Sequence, residues 1–163
     1  MNKTRKISYI ALLSALAIVI NLFESAFIPP IQFGIRFGLA NIISLITIEL
    51  FSYHELFFVA LMRVTIGSLL RGVIFGSAFM ISFSGVLLST LAISLCHKLK
   101  TSFIFMSIIS AIAHSLGQVL AVIFLYDQVN VFALFPILAL SSIATGVLTG
   151  LIAKECIKRV KRV

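Results

Sequence analysis

The sequence is poor in charged residues of either sign, and acidic residues are the scarcest. Of its 163 residues, 11% are charged and 61% are hydrophobic, and the mean hydropathy is +1.19. Soluble domains carry about 25% charged residues, because their surfaces face water. The polar residues here are too few to cover such a surface. This composition excludes a soluble domain and predicts an integral membrane protein.

Motifs for phosphate chemistry are also missing. Asp127 is the only aspartate, and the sequence contains no Gly-Lys dipeptide, no HExxH and no GxSxG. A P-loop needs a glycine-rich turn followed by lysine to hold phosphates. A prenyl diphosphate synthase needs clustered aspartates to hold Mg²⁺ on the diphosphate. The two cysteines, Cys96 and Cys156, do not have the spacing of a metal site. We therefore expect a protein that is not an enzyme and has no cofactor or metal.

What the sequence does contain is a series of apolar segments. A spanning helix needs about 20 apolar residues, and short connections leave room for a single transmembrane domain over residues 1–163. The run beginning at Ile7 resembles a signal-peptide core, but no small-residue cleavage site follows it, so we expect a retained helix. We predict an all-α integral membrane protein, a bundle of about six transmembrane helices over residues 7–23, 37–52, 55–70, 73–95, 102–125 and 136–153.

Basic residues predict the orientation of this bundle. With six helices, ten of the 13 Lys and Arg fall on one side of the membrane, namely Lys3, Arg5, Lys6, Lys98, Lys100 and the five of the C-terminal tail. The positive-inside rule places both termini in the cytoplasm and the protein in the cytoplasmic membrane. The net charge of +8 then reflects topology and contact with anionic lipid headgroups. We do not expect a nucleic-acid partner.

Arg63 is the sharpest functional signal in the sequence. It lies eight residues from Glu55 and eight from Arg71, roughly 12 Å from either end of its helix. Charge at that depth is costly and usually faces a cavity or a partner. Arg63, Gly67 and Arg71 share one helical face, so the two guanidinium groups could clamp an anionic group. The alternative is a structural ion pair of Arg63 with Glu49 or Glu24, with Arg71 reaching the membrane interface.

Other polar residues lie within or beside the apolar segments. His114 and Gln118 share one face of the fifth segment, with Gly117 between them. Polar groups at this depth must be satisfied inside the bundle, either by a ligand or by hydrogen bonds to another helix. Further candidates are Asn21 and Glu24 at the outer end of the first segment, Asn41 in the second segment, and Arg36; Glu24 and Arg36 flank Pro29-Pro30. The segment around these prolines is either a lid over an outward-facing cavity or a loop.

Small residues indicate close helix contacts. Ser142, Gly146 and Gly150 recur every four residues in the sixth segment, and such stripes let helices approach closely. We expect this stripe to pack inside the bundle. Ala11 and Ala15 form a similar pair on the first segment. That pair could instead contact another protein.

Three stretches carry a family resemblance. They are Ile35-Arg-Phe-Gly-Leu-Ala-Asn-Ile-Ile43, Leu61-Met-Arg-Val-Thr-Ile-Gly-Ser-Leu-Leu70 and Ala113-His-Ser-Leu-Gly-Gln118. They resemble, in matching order, stretches of the Gx transporter family, whose members are often labelled heptaprenyl diphosphate synthase component I. The similarity runs from about Ala11 to Ala153. That family in turn resembles the substrate-binding S-components of energy-coupling-factor (ECF) vitamin transporters.

The resemblance implies an S-component-like bundle with both termini cytoplasmic. It implies that Ala11 and Ala15 dock on a transmembrane coupling subunit, that substrate binds in the outer half, and that separate subunits supply ATPase activity. We therefore expect Arg63, Arg71, Arg36, His114, Gln118, Asn41 and Glu24 to line a site for a small anionic or aromatic molecule, such as a vitamin or a quinone or isoprenoid precursor. The alternative is a non-catalytic membrane subunit of a soluble prenyl synthase or of a membrane redox assembly.

Overall fold

The computed structural model describes residues 2–27 and 39–160, and in this part of the chain it contains helices and no strand. Five of the helices are long and apolar enough to cross a membrane. The predicted all-α membrane bundle is therefore confirmed. The six α-helices are α1 (Lys3–Phe27), α2 (Asn41–Leu50), α3 (Tyr53–Leu70), α4 (Ser77–Lys98), α5 (Phe103–Tyr126) and α6 (Phe135–Val160), with a 3-10 helix, Val129–Leu134, before α6.

Helix α2 is the short helix at the centre of the bundle. Its 10 residues span about 15 Å, half the thickness of a hydrocarbon core. It contacts all five other α-helices, and most of its side chains are buried. The sequence predicted a longer helix over residues 37–52. Residues 37 and 38 lie outside the described residues, 39 and 40 form a turn, and the helix ends at Leu50.

Several other boundaries differ from those predicted. Both terminal helices are longer, because α1 includes the basic residues before Ile7 and α6 continues through its basic tail to Val160. Outside the hydrocarbon layer a helix needs no apolar side chains, so hydropathy alone underestimates its length. Helix α4 begins later than Val73, because Gly72 and Phe75 adopt positive φ angles of 69° and 62° in the turn that precedes it.

Close approach of backbones organises α4, α5 and α6, which form the two largest helix interfaces. A Cβ atom added to Gly117 of α5 would lie 2.6 Å from the Ser84 carbonyl oxygen of α4. One added to Gly146 of α6 would lie 2.7 Å from the Ile108 Cα of α5. The hydroxyls of Ser115 and Ser142 are 2.7 Å apart across the same α5–α6 interface. The structure confirms the prediction that the α6 stripe packs inside the bundle.

The basic residues gather at one end of the bundle, which we call the basic end. Lys6 of α1 forms an ion pair with Glu55 at the start of α3, and Tyr53 contacts His97 at the end of α4. The C-terminal part of α6 packs through Ile157 into the apolar core at this end. The charge asymmetry read from the sequence is therefore a property of the folded bundle, while its direction across a membrane stays a prediction.

Helix α1 is the least enclosed of the long helices. Only Leu13, Ser14, Ala17 and Glu24 are buried, and its main contact is with α3. Polar contacts join α1 and α3 near both ends, since Lys6 pairs with Glu55 and Ser25 accepts a hydrogen bond from Arg71. α1 is therefore held to α3 by apolar packing and by polar contacts near both ends.

Glu55 fastens the basic ends of α1 and α3, so its removal should destabilise the fold. Its carboxylate accepts hydrogen bonds from the Ser52 backbone and hydroxyl, forming a capping box, and pairs with Lys6. We expect Glu55→Ala to lower the free energy of unfolding by about 1–2 kcal/mol, measured by thermal unfolding in detergent. Glu155→Ala is the matched control, because Glu155 has only an exposed pair with Arg159. That variant should change stability by less than about 0.5 kcal/mol; equal losses would contradict the assignment.

Candidate functional site

A cluster of polar side chains lies inside the bundle, between two apolar cores. It comprises Asn21 and Glu24 of α1, Asn41 of α2, Arg63 of α3, and His114 and Gln118 of α5, and we call it the polar cluster. Apart from Asn21, its members are at most 5% exposed. One core contains Leu56 on the preceding turns of α3, and the other contains Val122 on the following turn of α5.

Arg63 is the centre of the polar cluster. Its side chain is 2% exposed, and its Nη1 atom donates a hydrogen bond of 3.1 Å to the Asn41 side-chain oxygen. The carboxylate of Glu24 attracts the guanidinium electrostatically. Glu24 is one of the two acidic residues that the sequence offered as ionic partners of Arg63. Arg63 Nε and Asn41 Nδ2 are buried without hydrogen-bond partners among the described residues.

Glu24 connects the polar cluster to the start of α2. One of its carboxylate oxygens accepts a hydrogen bond of 3.1 Å from the Leu39 backbone N–H, in the turn that leads into Asn41. Non-helical backbone at membrane depth is tolerated only where protein or a cavity surrounds it. The beginning of this half-length helix therefore lies beside charged and amide side chains, as in transporters whose broken helices end at a substrate site.

Two glycines make space for the polar side chains. A Cβ atom on Gly85 of α4 would lie 2.8 Å from Gln118 Cγ and 3.0 Å from His114 Cε1. A Cβ atom on Gly67 of α3 would lie 2.9 Å from Asn21 Oδ1. A larger residue at Gly85 would displace Gln118 and His114, and a larger residue at Gly67 would displace Asn21. The His114 ring interacts with the Gly85 backbone, and its Nδ1 atom is buried without a partner among the described residues.

The polar cluster surrounds a small cavity of about 10 Å³, which is the space that one water molecule needs. Its walls include Asn21, Glu24, Arg63, His114 and Gln118. Asn21 Oδ1, Arg63 Nε and His114 Nδ1 all lack partners within the described part of the chain. Buried polar groups without partners are costly. The arrangement can supply both donors and acceptors to a molecule that enters between the helices.

The structure does not bring Arg71 into this cavity. Arg71 follows the last residue of α3, and its guanidinium donates hydrogen bonds to the Gly67 carbonyl (2.9 Å), the Ser25 hydroxyl (3.2 Å) and the Ser68 hydroxyl (3.1 Å). Its donors thus join α1 to α3. Arg36 lies outside the described residues. Arg63, His114, Gln118, Asn41 and Glu24 do come together, and their role in substrate binding stays a prediction.

Sequence reasoning missed two residues of this site. Ser82 and Gly85 of α4 stand beside the cavity and the side chains of His114 and Gln118. An isolated glycine inside an apolar helix often marks close approach of a neighbour, and this signal was available for Gly85. Ser82 has no such signal, because serine is frequent throughout α4.

Ala11 and Ala15 are exposed on α1, outside the polar cluster. Ala11 borders an open groove of about 530 Å³ at the basic end, together with Ile7, Ile10, Phe58 and Glu55. Docking of another protein on these alanines stays a prediction. Among the described residues, no group of three or more His, Cys, Asp or Glu could hold a metal ion.

The hydrogen bond between Asn41 and Arg63 should contribute strongly to stability. In Asn41→Ala the buried guanidinium loses its acceptor, and we expect a loss of about 2–4 kcal/mol in thermal unfolding. Thr47→Val is the control, since Thr47 is equally buried on α2 but its hydroxyl bonds only the Ile43 carbonyl of its own helix; it should cost less than about 1 kcal/mol. Adding Arg63→Met to Asn41→Ala should cost less than the sum of the single losses. Additive losses would show that the two side chains are not coupled.

Comparison with known proteins gives one match. No curated protein and no solved structure matches the chain. The sequence profile of the family described as heptaprenyl diphosphate synthase component I matches residues 13–156. This range covers most of the 163 residues and includes every described residue of the polar cluster. By this match the chain, a helical protein of the multi-pass membrane type, belongs to the heptaprenyl diphosphate synthase component I family.

Proposed function

We propose that the protein is the substrate-binding membrane subunit of an ECF-like importer, in which separate coupling and ATPase subunits supply the energy. The observation that carries this proposal is the convergence of three unpartnered buried polar atoms, on Asn21, Arg63 and His114, at one cavity. A structural network alone would be expected to satisfy its own donors and acceptors. An incomplete network at membrane depth is typical of a binding site.

Each member of the polar cluster has a chemical role in this proposal. Arg63 directs its free Nε toward an anionic or carbonyl oxygen of the substrate, and Asn41 holds the guanidinium in place. His114 and Gln118 bind further polar atoms of the substrate at the opposite wall. Glu24 balances the charge of Arg63 and holds the start of α2. Arg71, which lies outside the cavity beside Ser25 and Ser68, would attract an anionic substrate by its charge. Arg36, outside the described residues, stays a predicted contact.

Substrate entry requires the bundle to open. Pockets for small organic ligands measure about 300–1,000 Å³, whereas the cavity here has about 10 Å³. Helix α1 is the element best suited to move, because it is the least enclosed and is joined to α3 by few polar contacts. We take the substrate to be a small anionic or aromatic molecule, such as a vitamin or a quinone or isoprenoid precursor.

The exposed face of α1 suits a partner in the membrane. Ala11 and Ala15 leave space for a closely packed helix, and the adjacent groove lies at the basic end. We place this end in the cytoplasm, with both chain termini, on the charge asymmetry. A transmembrane coupling subunit docked there would contact α1, the same helix that closes the site.

Ligand binding by the purified protein tests the proposal. We expect at least one member of a panel of vitamins and quinone precursors to raise the Tm in detergent, because a ligand stabilises the state that it binds. Arg63→Met should abolish this shift. His114→Ala should weaken binding at least tenfold, about 1.4 kcal/mol, and it offers a second test if Arg63→Met does not fold.

Leu87→Ala is the control, since Leu87 is half-buried on α4 and lines a surface groove with Phe83 and Leu120 and not the cavity of the polar cluster; binding by this variant should be unchanged. The proposal fails if no compound shifts the Tm and if Arg63→Met and His114→Ala leave uptake by cells at the level of the unaltered protein.

A second candidate function rests on the family description. It names a component of a heptaprenyl diphosphate synthase, and the single aspartate of this chain cannot build a diphosphate-metal site of its own. In this case the protein is a non-catalytic membrane subunit for a soluble prenyl synthase.

Co-purification distinguishes the two candidates. On affinity isolation of the full chain from its native membrane, we expect a transmembrane coupling subunit and ATPase subunits to be recovered. Ala11→Leu/Ala15→Leu should reduce their recovery at least fivefold, because larger side chains prevent close helix packing. Recovery of a soluble prenyl synthase, unaffected by this pair of substitutions, would instead support the second candidate.

A further inference from the structure

A second concave site lies at the basic end, away from the polar cluster. It is an open groove of about 540 Å³ where the end of α4 meets the starts of α3 and α5, and we call it the interfacial groove. Lys98, Lys100 and Thr101 form its polar rim, and Tyr53, Phe103 and Met106 contribute its aromatic and apolar surface.

The two lysines of the interfacial groove are available to bind an anion. Both are exposed, and in the described part of the chain neither ammonium group has an ion-pair or hydrogen-bond partner. Elsewhere at the basic end, Lys6 contacts Glu55 and Arg159 contacts Glu155. Two exposed ammonium groups therefore stand at the rim of one groove, which Glu49 also lines.

Lys100, just after the end of α4, has a backbone conformation that is strained for a residue other than glycine. Lys100 has a φ of 53°, and the N–H groups of Lys100 and Thr101 donate to the carbonyls of His97 and Cys96, each at 3.1 Å. Helices that end in this pattern usually have glycine at the left-handed position. Here the position is occupied by lysine, and the lysine side chain lines the groove.

The walls below the rim combine a helix start with an apolar surface. Helix α5 begins at Phe103, in the groove, and helix N-termini favour anions. On the other wall the Tyr53 hydroxyl lies 3.2 Å from His97 Nδ1, and the two rings pack edge to face. A positive rim above an apolar wall fits a molecule with a charged head and an apolar tail.

We propose that the interfacial groove binds a membrane-resident amphiphile whose head is a phosphate monoester or diphosphate. Lys98 and Lys100 contact the head, the Thr101 hydroxyl and the start of α5 lie beside it, and the tail runs along Phe103 into the membrane. Basic pockets between transmembrane helices bind lipid phosphates in this way. Glu49, which has a partner of its own, also lines the groove. This site is independent of the proposed importer function.

Native mass spectrometry of the full chain, released from nanodiscs, tests the proposal with phosphatidic acid as the probe. We expect a retained adduct, and Lys98→Ala/Lys100→Ala should weaken its binding by about 10- to 30-fold. Lys154→Ala/Lys158→Ala is the matched control, because it removes the same charge from exposed α6 residues that do not line the groove. That control should change binding less than threefold, and all variants should keep their Tm.

Two further probes separate the sources of the phosphate. Dioleoylglycerol has the same tails without the phosphate and should not be retained, and inorganic phosphate has the head without the tails and should bind at least tenfold more weakly. Equal loss in the two lysine pairs, or no retained phosphatidic acid, would overturn the proposal. Inorganic phosphate binding as tightly as the lipid would also overturn it, because the site would then select a free ion.

Discussion

The fold depends on accommodating one buried guanidinium. Arg63 is 2% exposed in a bundle built from apolar helices, and a charge in that environment is stable only with close polar partners. Asn41 supplies a hydrogen bond and Glu24 supplies the opposite charge. These two partners come from α2 and α1, so the solvation of one side chain fixes three helices relative to each other. Gly67 and Gly85 serve the same requirement, because they leave room for polar groups where larger side chains would fill the space.

The short α2 follows from the same constraint. A helix that ends halfway through the membrane leaves backbone donors at a depth where water is absent. Glu24 accepts a hydrogen bond from the Leu39 N–H in the turn before this helix, and the neighbouring helices enclose α2. The half-length helix and the polar cluster therefore require each other. A structural role of Arg63 is compatible with the proposed binding role. The groups that stabilise its charge are those next to the cavity.

The sequence predicted the fold class because composition and hydropathy decide it. It also predicted the grouping of Arg63, Asn41, Glu24, His114 and Gln118. Polar side chains in apolar helices are stable mainly in contact with one another. Helix ends were less predictable. The turn before α4 depends on positive φ angles at Gly72 and Phe75, and nothing in an apolar run reveals them. The position of Arg71 was also beyond sequence patterns, because its spacing from Arg63 fits a common stripe, whereas its hydrogen bonds to Ser25 and Ser68 depend on tertiary packing.

The order of the polar cluster along the chain has a consequence for biogenesis. Membrane proteins are inserted from the N-terminus, so Asn21 and Glu24 enter the membrane with α1 before Arg63 has been made. Asn41 follows, and Arg63 arrives only with α3. Until then the guanidinium that bonds Asn41 and attracts Glu24 is absent from the membrane. The contacts that join α1, α2 and α3 at the polar cluster are therefore complete only after α3 has been inserted.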